Sequence, residues 1–188
     1  MSTPAAESVV AGGVLMRILG RGVLVTGAPG CGKSRLALEM LDRGHALVAD
    51  DAPVLRRSAD GTLVGEAAEP LRGFLHVRGL GVVDAVEAFG EAACVASQRL
   101  DLVVELAVRA GPAPADEVAL AAPRTAARYL DVDLPVLHLG GAPPLSPVLL
   151  ETLVRSFYRD AGAQGAASRL VARQARLLRP AGPDRQAG

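Results

Sequence analysis

Residues 22 to 27 read GVLVTG, an apolar run bounded by glycine, and the next apolar residues, Leu36, Ala37, Met40 and Leu41, recur at helical spacing. The first run has the length of a buried strand, and the second set lines one face of a helix. The spacing predicts a helix from about Gly32 to Arg43, with Gly44 as its stop. Upstream, SVVAGGVLMRI is expected to hold a strand; downstream, HALVADD is a strand ending in two aspartates. PVLRRSADGTLVGEA places two short extended runs around Asp60-Gly61, the pattern of a β-hairpin. LDLVVELAV is a further strand, RAGPAPADE an exposed loop, and YLDVDLPVLHLG a last extended segment. Ser146 is expected to cap a helix with Pro147 at its first position, followed by an Ala- and Arg-rich helix and a frayed tail over residues 181–188. Extended runs separated by turn signals dominate the chain, and helical patterns stand out at only a few places.

Composition narrows the reading. A chain of 188 residues, half of them hydrophobic, suffices for one compact domain, assigned here to residues 1–180. Lys and Arg total 20 and Asp and Glu total 20, so the chain lacks the positive field of a generic nucleic-acid binder. The mean hydropathy is +0.29, yet the apolar runs fall far short of the roughly 20 residues of a spanning helix, so no membrane partner is expected. MSTPAAESVV has no basic region leading into an apolar one, which points to a cytoplasmic location. Cys31 and Cys94 have no partner at metal-site spacing; Cys94 reads as a small apolar residue and Cys31 as loop filling.

The chemistry begins between the first strand and helix. Gly27, Ala28, Pro29, Gly30, Cys31, Gly32, Lys33 and Ser34 satisfy GxxxxGK[ST] in the strand, loop, helix setting that the motif requires. Glycines let the backbone wrap phosphate oxygens, the amides of the helix start add partial positive charge, and the lysine reaches the β and γ phosphates. The Ser34 hydroxyl is placed to ligate Mg²⁺. Asp50 and Asp51 follow on the very next strand. Adjacent carboxylates at a strand end suit two roles, one towards a metal and one towards an acceptor, although ADDAP also reads as a solvated turn.

Together these residues resemble a known family, HPr kinase/phosphorylase, bacterial enzymes that phosphorylate a serine of the phosphocarrier protein HPr. The matching blocks are GVLVTGAPGCGKSRLALEMLDRGHALVADD, RGLG from Arg78 to Gly81, FG at Phe89-Gly90, and LDVDLP from Leu130 to Pro135. The resemblance covers roughly residues 12 to 140 and is far more specific than the glycine-rich loop alone. It implies a P-loop, phosphoenolpyruvate-carboxykinase-like β-rich α/β core with C-terminal helices, the cofactors ATP and Mg²⁺, an HPr-like partner and a homo-oligomer.

Carried over, the resemblance implies that Lys33 holds the transferred phosphoryl group, Ser34 and Asp50 serve the metal, and Asp51 takes the proton of the acceptor serine. Arg78 either steadies phosphate charge or orders its own segment. There are three departures. Gly12 stands where the family has a histidine, His76 where it has a metal-binding glutamate, and GGAPPLSPV replaces its late PVxPGRN loop. Imidazole is a poor ligand for Mg²⁺, which leaves Glu66 or Glu69 as substitutes and His76 as a phosphate contact. The departures spare binding and speak against the phosphorylase direction. Three readings stay open: a serine kinase acting on an HPr-like protein, a nucleotide-binding regulatory module without transfer, and a small-molecule kinase.

Overall fold

A computed structural model describes residues 7–107, 125–140, 146–159 and 173. The expected loop at 109–117, the second C-terminal helix apart from Arg173, and the tail at 181–188 lie outside these residues. The strands are β1 (Ser8–Val10), β2 (Val14–Ile18), β3 (Arg21–Gly27), β4 (Ala46–Ala49), β5 (Val54–Arg57), β6 (Leu63–Glu66), β7 (Phe74–Val77), β8 (Gly81–Asp84), β9 (Ser97–Ala107), β10 (Thr125–Tyr129) and β11 (Val132–Gly140). The helices are α1 (Lys33–Asp42), α2 (Ala85–Phe89) and α3 (Pro147–Arg159).

One sheet of nine strands carries the fold, in the order β1-β5-β6-β9-β3-β2-β4, with β11 added to β9 and β10 to β11. β9 lies at a fork. Along one side its first residues pair with β6 and its last with β11, while β3 takes the other side. β3, β9 and β11 run parallel. β4 shares their direction because both it and β3 are antiparallel to β2. The C-terminal ends of β4, β3, β9 and β11 therefore meet along one edge of the sheet. That edge holds the site.

The period of two in β2, β3 and β9 divides their apolar residues between two cores. Val14, Met16, Val23, Val25, Leu102 and Val104 face α1 and α3, where Leu36, Ala37, Met40, Leu41, Leu150 and Leu153 cover them. Leu15, Leu24 and Val103 face the other way, onto Leu55, Leu63, Leu134 and Val136. Each such fully buried Leu or Met stabilises the fold by about 1.5–3 kcal/mol. The α1 residues buried here are the four that the spacing predicts, and Gly44 ends the helix at φ 83°.

Two expected extended segments prove to be pairs of strands. SVVAGGVLMRI splits at Gly12-Gly13: β1 joins β5 and β2 joins β3 and β4. A Cβ at Gly13 would fall 2.4 Å from the Val25 carbonyl oxygen, so the chain crosses β3 too closely for any other residue. YLDVDLPVLHLG contains a tight reversal at Leu130-Asp131 (φ 46° and 60°), with Tyr129 opposite Val132. The hairpin around Asp60-Gly61 forms as expected, pairing Arg57 with Leu63, and Asp60 accepts the Thr62 amide at 3.0 Å.

A partly buried ionic cluster fastens α1 to α3. Arg43, just past the end of α1, donates through Nε and Nη2 to Glu151 at 2.7 and 2.9 Å, and His45 Nε2 lies 3.0 Å from the same carboxylate. The hydrogen bond from Arg43, then that from His45, lowers the Glu151 carboxyl to about 2. A depressed folded-state value means that this stabilisation is present above 4.5 and is lost as pH falls towards 2. Glu151→Ala is expected to move the urea midpoint at pH 7 to lower denaturant, because Arg43 and His45 lose the acceptor they share. Urea titrations from pH 7 to 3 should also show a weaker acid dependence in the variant than in the wild type.

Candidate functional site

β3 ends at Gly27 and α1 begins at Lys33, so residues 28–32 form the loop between them. A Cβ at Gly27 would lie 2.7 Å from the Leu106 carbonyl oxygen and 3.0 Å from the Cys31 sulfur. Glycine is the only residue that lets the loop lie this close to β9. Gly30 and Gly32 take φ values of 80° and 98°, and Gly32 caps α1 without a side-chain acceptor. The first-turn amides therefore have no side-chain cap, and they gather the positive end of the helix dipole at the loop. Lys33 Nζ folds back to donate to the carbonyls of Gly27 (2.8 Å) and Ala28 (3.2 Å). Ala28 and Pro29 lie exposed on the loop, while Cys31 is half-buried against the helix-side core.

The two aspartates part at the end of β4. Ser34 Oγ donates to Asp50 Oδ1 at 3.3 Å and the His76 amide donates to Asp50 Oδ2 at 2.9 Å. Burial pushes the Asp50 carboxyl above the usual carboxylate range, with these two hydrogen bonds opposing it. A carboxylate paying this desolvation beside a helix-start hydroxyl is a place where a bound cation would restore favourable charge. Ser34 and Asp50 fit Mg²⁺, a hard ion that keeps waters and phosphate oxygens beside one or two protein oxygens. Among the described residues no cluster of three or more His, Cys, Asp or Glu could hold a metal.

Asp51 has φ 64°, and its carbonyl accepts the Gly13 amide at 3.3 Å. The side chain is exposed. The turn leaves the two neighbouring carboxylates in different settings, one half-buried at the helix start and one in the open.

Arg78 belongs to the turn between β7 and β8, and its Nη1 lies 3.7 Å from where a Cβ on Gly30 would be. Among the described residues it pairs with no carboxylate. The guanidinium thus stands beside the glycine-rich loop, which supports the charge-steadying reading over mere ordering. The His76 side chain is exposed opposite Val82, and the residue serves Asp50 through its backbone. A main-chain donor leaves no mark in a motif, so sequence reasoning misses it. Glu66 and Glu69 are held by Arg56 and Arg72, each at 2.7 Å, and neither bonds to Ser34 or Asp50. Nothing lies within 4 Å of where a Cβ on Gly12 would be.

The sequence model of the HPr serine kinase C-terminal domain matches residues 4–174. The chain belongs to this family. It is 39% identical over 179 residues to the HPr kinase/phosphorylase of Azoarcus sp. strain BH72, across 95% of this chain and 57% of that one. A second relative of that name, from Aromatoleum aromaticum, is 38% identical across 98% of this chain and 59% of its own length. The chain thus spans less than two thirds of these relatives. Among solved structures, the HPr(Ser) kinase/phosphatase from Coxiella burnetii superposes with a TM-score of 0.70 at 28% identity, over 81% of this chain and 97% of that one. The strand-rich α/β fold expected of the family is therefore the fold of this chain, with α3 as its described C-terminal helix. No helix among the described residues is long and apolar enough to cross a membrane.

Proposed function

We propose that residues 1–180 form one catalytic domain, an ATP-dependent serine kinase whose acceptor is an HPr-like phosphocarrier, serving regulation of the phosphotransferase system in the cytoplasm. The observation that carries the reading is the meeting, at one sheet edge, of the loop at residues 27–34, the Ser34–Asp50 pair and the exposed Asp51. Lys33 and Arg78 would hold the phosphoryl group being moved, and the amides of the loop would hold the rest of the triphosphate. Bound Mg²⁺ would neutralise phosphate charge, held from the protein side by Ser34 and Asp50. Asp51 would take the hydroxyl proton of the incoming serine, because a serine oxygen attacks phosphorus poorly unless a base relieves it of that proton. Family membership supports HPr as the acceptor.

Gly12, standing where the family resemblance implies a histidine, and the outward His76 motivate one second reading, a regulatory module that binds nucleotide without transferring phosphate. Incubation with γ-labelled ATP, Mg²⁺ and an HPr-like protein separates the two. The kinase labels an acceptor serine. Calorimetric nucleotide binding with no labelled acceptor would sink the kinase and leave the module.

A further inference from the structure

Beyond the glycine-rich loop, the same sheet edge carries a second polar constellation. Thr26 on β3, Glu105 on β9 and His138 on β11 occupy one register row of three parallel strands, so their side chains share a face. His138 Nδ1 lies 3.1 Å from Glu105 Oε2, and His138 Nε2 lies 2.6 Å from the Thr125 hydroxyl. A carboxylate only accepts, so Nδ1 carries the proton and donates to Glu105, which leaves Nε2 free to accept the hydrogen of Thr125. This is the arrangement of an activated nucleophile: a hydroxyl, a base within reach of it, and a third group that orients the base. Thr125 is exposed and opens β10, which among the described residues pairs with β11 alone.

We propose that Thr125 is a self-phosphorylation site, with His138 as its base and Glu105 holding that base in place. The proposal rests on the kinase reading above. Thr125 Oγ attacks the γ-phosphorus of ATP, the bond from that phosphorus to the bridging β,γ-oxygen breaks, and ADP leaves with the electron pair. The hydroxyl proton passes to His138 Nε2. The resulting imidazolium lies between the new phosphate and Glu105, and so screens their repulsion. β10 is three strands away from β3, about 14 Å at the usual spacing of ~4.8 Å, and the donor proposed is a second copy of the chain.

The test mixes two variants with ATP and Mg²⁺. Lys33→Ala, which has lost the loop lysine, serves as acceptor, and Thr125→Ala serves as donor; mass spectrometry then locates the phosphate. Phosphate on Thr125 of the Lys33→Ala chain is expected, at a rate that rises with donor concentration. Adding His138→Gln to the acceptor should slow it about 100-fold, while Thr125→Ser should keep a labelled serine; matched melting curves establish that each acceptor is folded. If the wild type labels an HPr-like protein and residue 125 stays unmodified, the inference is overturned while the kinase stands. Labelling at full rate with His138→Gln also overturns it. If neither HPr nor Thr125 is labelled, the kinase reading has failed and this one with it.

Discussion

Lys33→Ala is expected to reduce phosphoryl transfer by about 10²–10³-fold, the range for removing one charge-stabilising group at a reacting centre. Nucleotide affinity should fall with it. In the structure the ammonium lies against the carbonyls of Gly27 and Ala28, at the mouth of the loop that the triphosphate would enter. Losing those two contacts costs the fold little, about 1 kcal/mol for each net hydrogen bond and less at an exposed one. The variant should therefore melt close to the wild type while titration calorimetry with ATP and Mg²⁺ shows weak heat or none. Wild-type affinity in the variant would remove the loop from the site.

Asp51→Asn should behave differently, keeping nucleotide affinity and losing transfer by about 10²–10⁴-fold, the usual contribution of a positioned base. The substitution is well suited to the place. Asp51 sits at φ 64°, a region where asparagine is among the few residues at ease, so the turn and the Gly13–Asp51 hydrogen bond should persist. An alanine there would mix backbone strain with lost chemistry. Asp50→Asn is no substitute as a control, because Asp50 bonds to Ser34 and to the His76 amide. Label transfer to an HPr-like acceptor, alongside calorimetry, separates the two outcomes. Unchanged transfer in Asp51→Asn would mean that another group takes the proton.

What the sequence made legible was local. The loop, the α1 face and the Asp60-Gly61 hairpin each rest on signals within about a dozen residues, where glycine punctuation and side-chain period act directly. The reversal at Leu130-Asp131 escapes notice because left-handed hairpin positions are usually held by glycine, asparagine or aspartate, and the first of the pair is a leucine. The split at Gly12-Gly13 has its signal, two glycines, but only the approach to Val25 shows that they end one strand and start another. Contacts such as Arg43 to Glu151, 108 residues apart, or Glu105 to His138 depend on strand order, which no local period encodes. Arg78 is the instructive case: its motif marks it as notable, but only the fold brings it beside Gly30.

The fork at β9 bears on how the chain acquires its shape during synthesis. Until residues 97–107 have emerged, β3 presents an open edge through Val23, Leu24 and Val25, and β6 has an unfilled side as well. Neither the loop at residues 27–34 nor the hairpin of β5 and β6 can rest on its final neighbour before then. Most of the pairings at this strand join residues far apart along the chain, a topology that folds slowly and leaves apolar edges accessible in the interval. The nascent N-terminal half would leave apolar edges open to chaperones, and a ribosome stalled before residue 97 would hold the glycine-rich loop, Asp50, Asp51 and Arg78 with no rigid site.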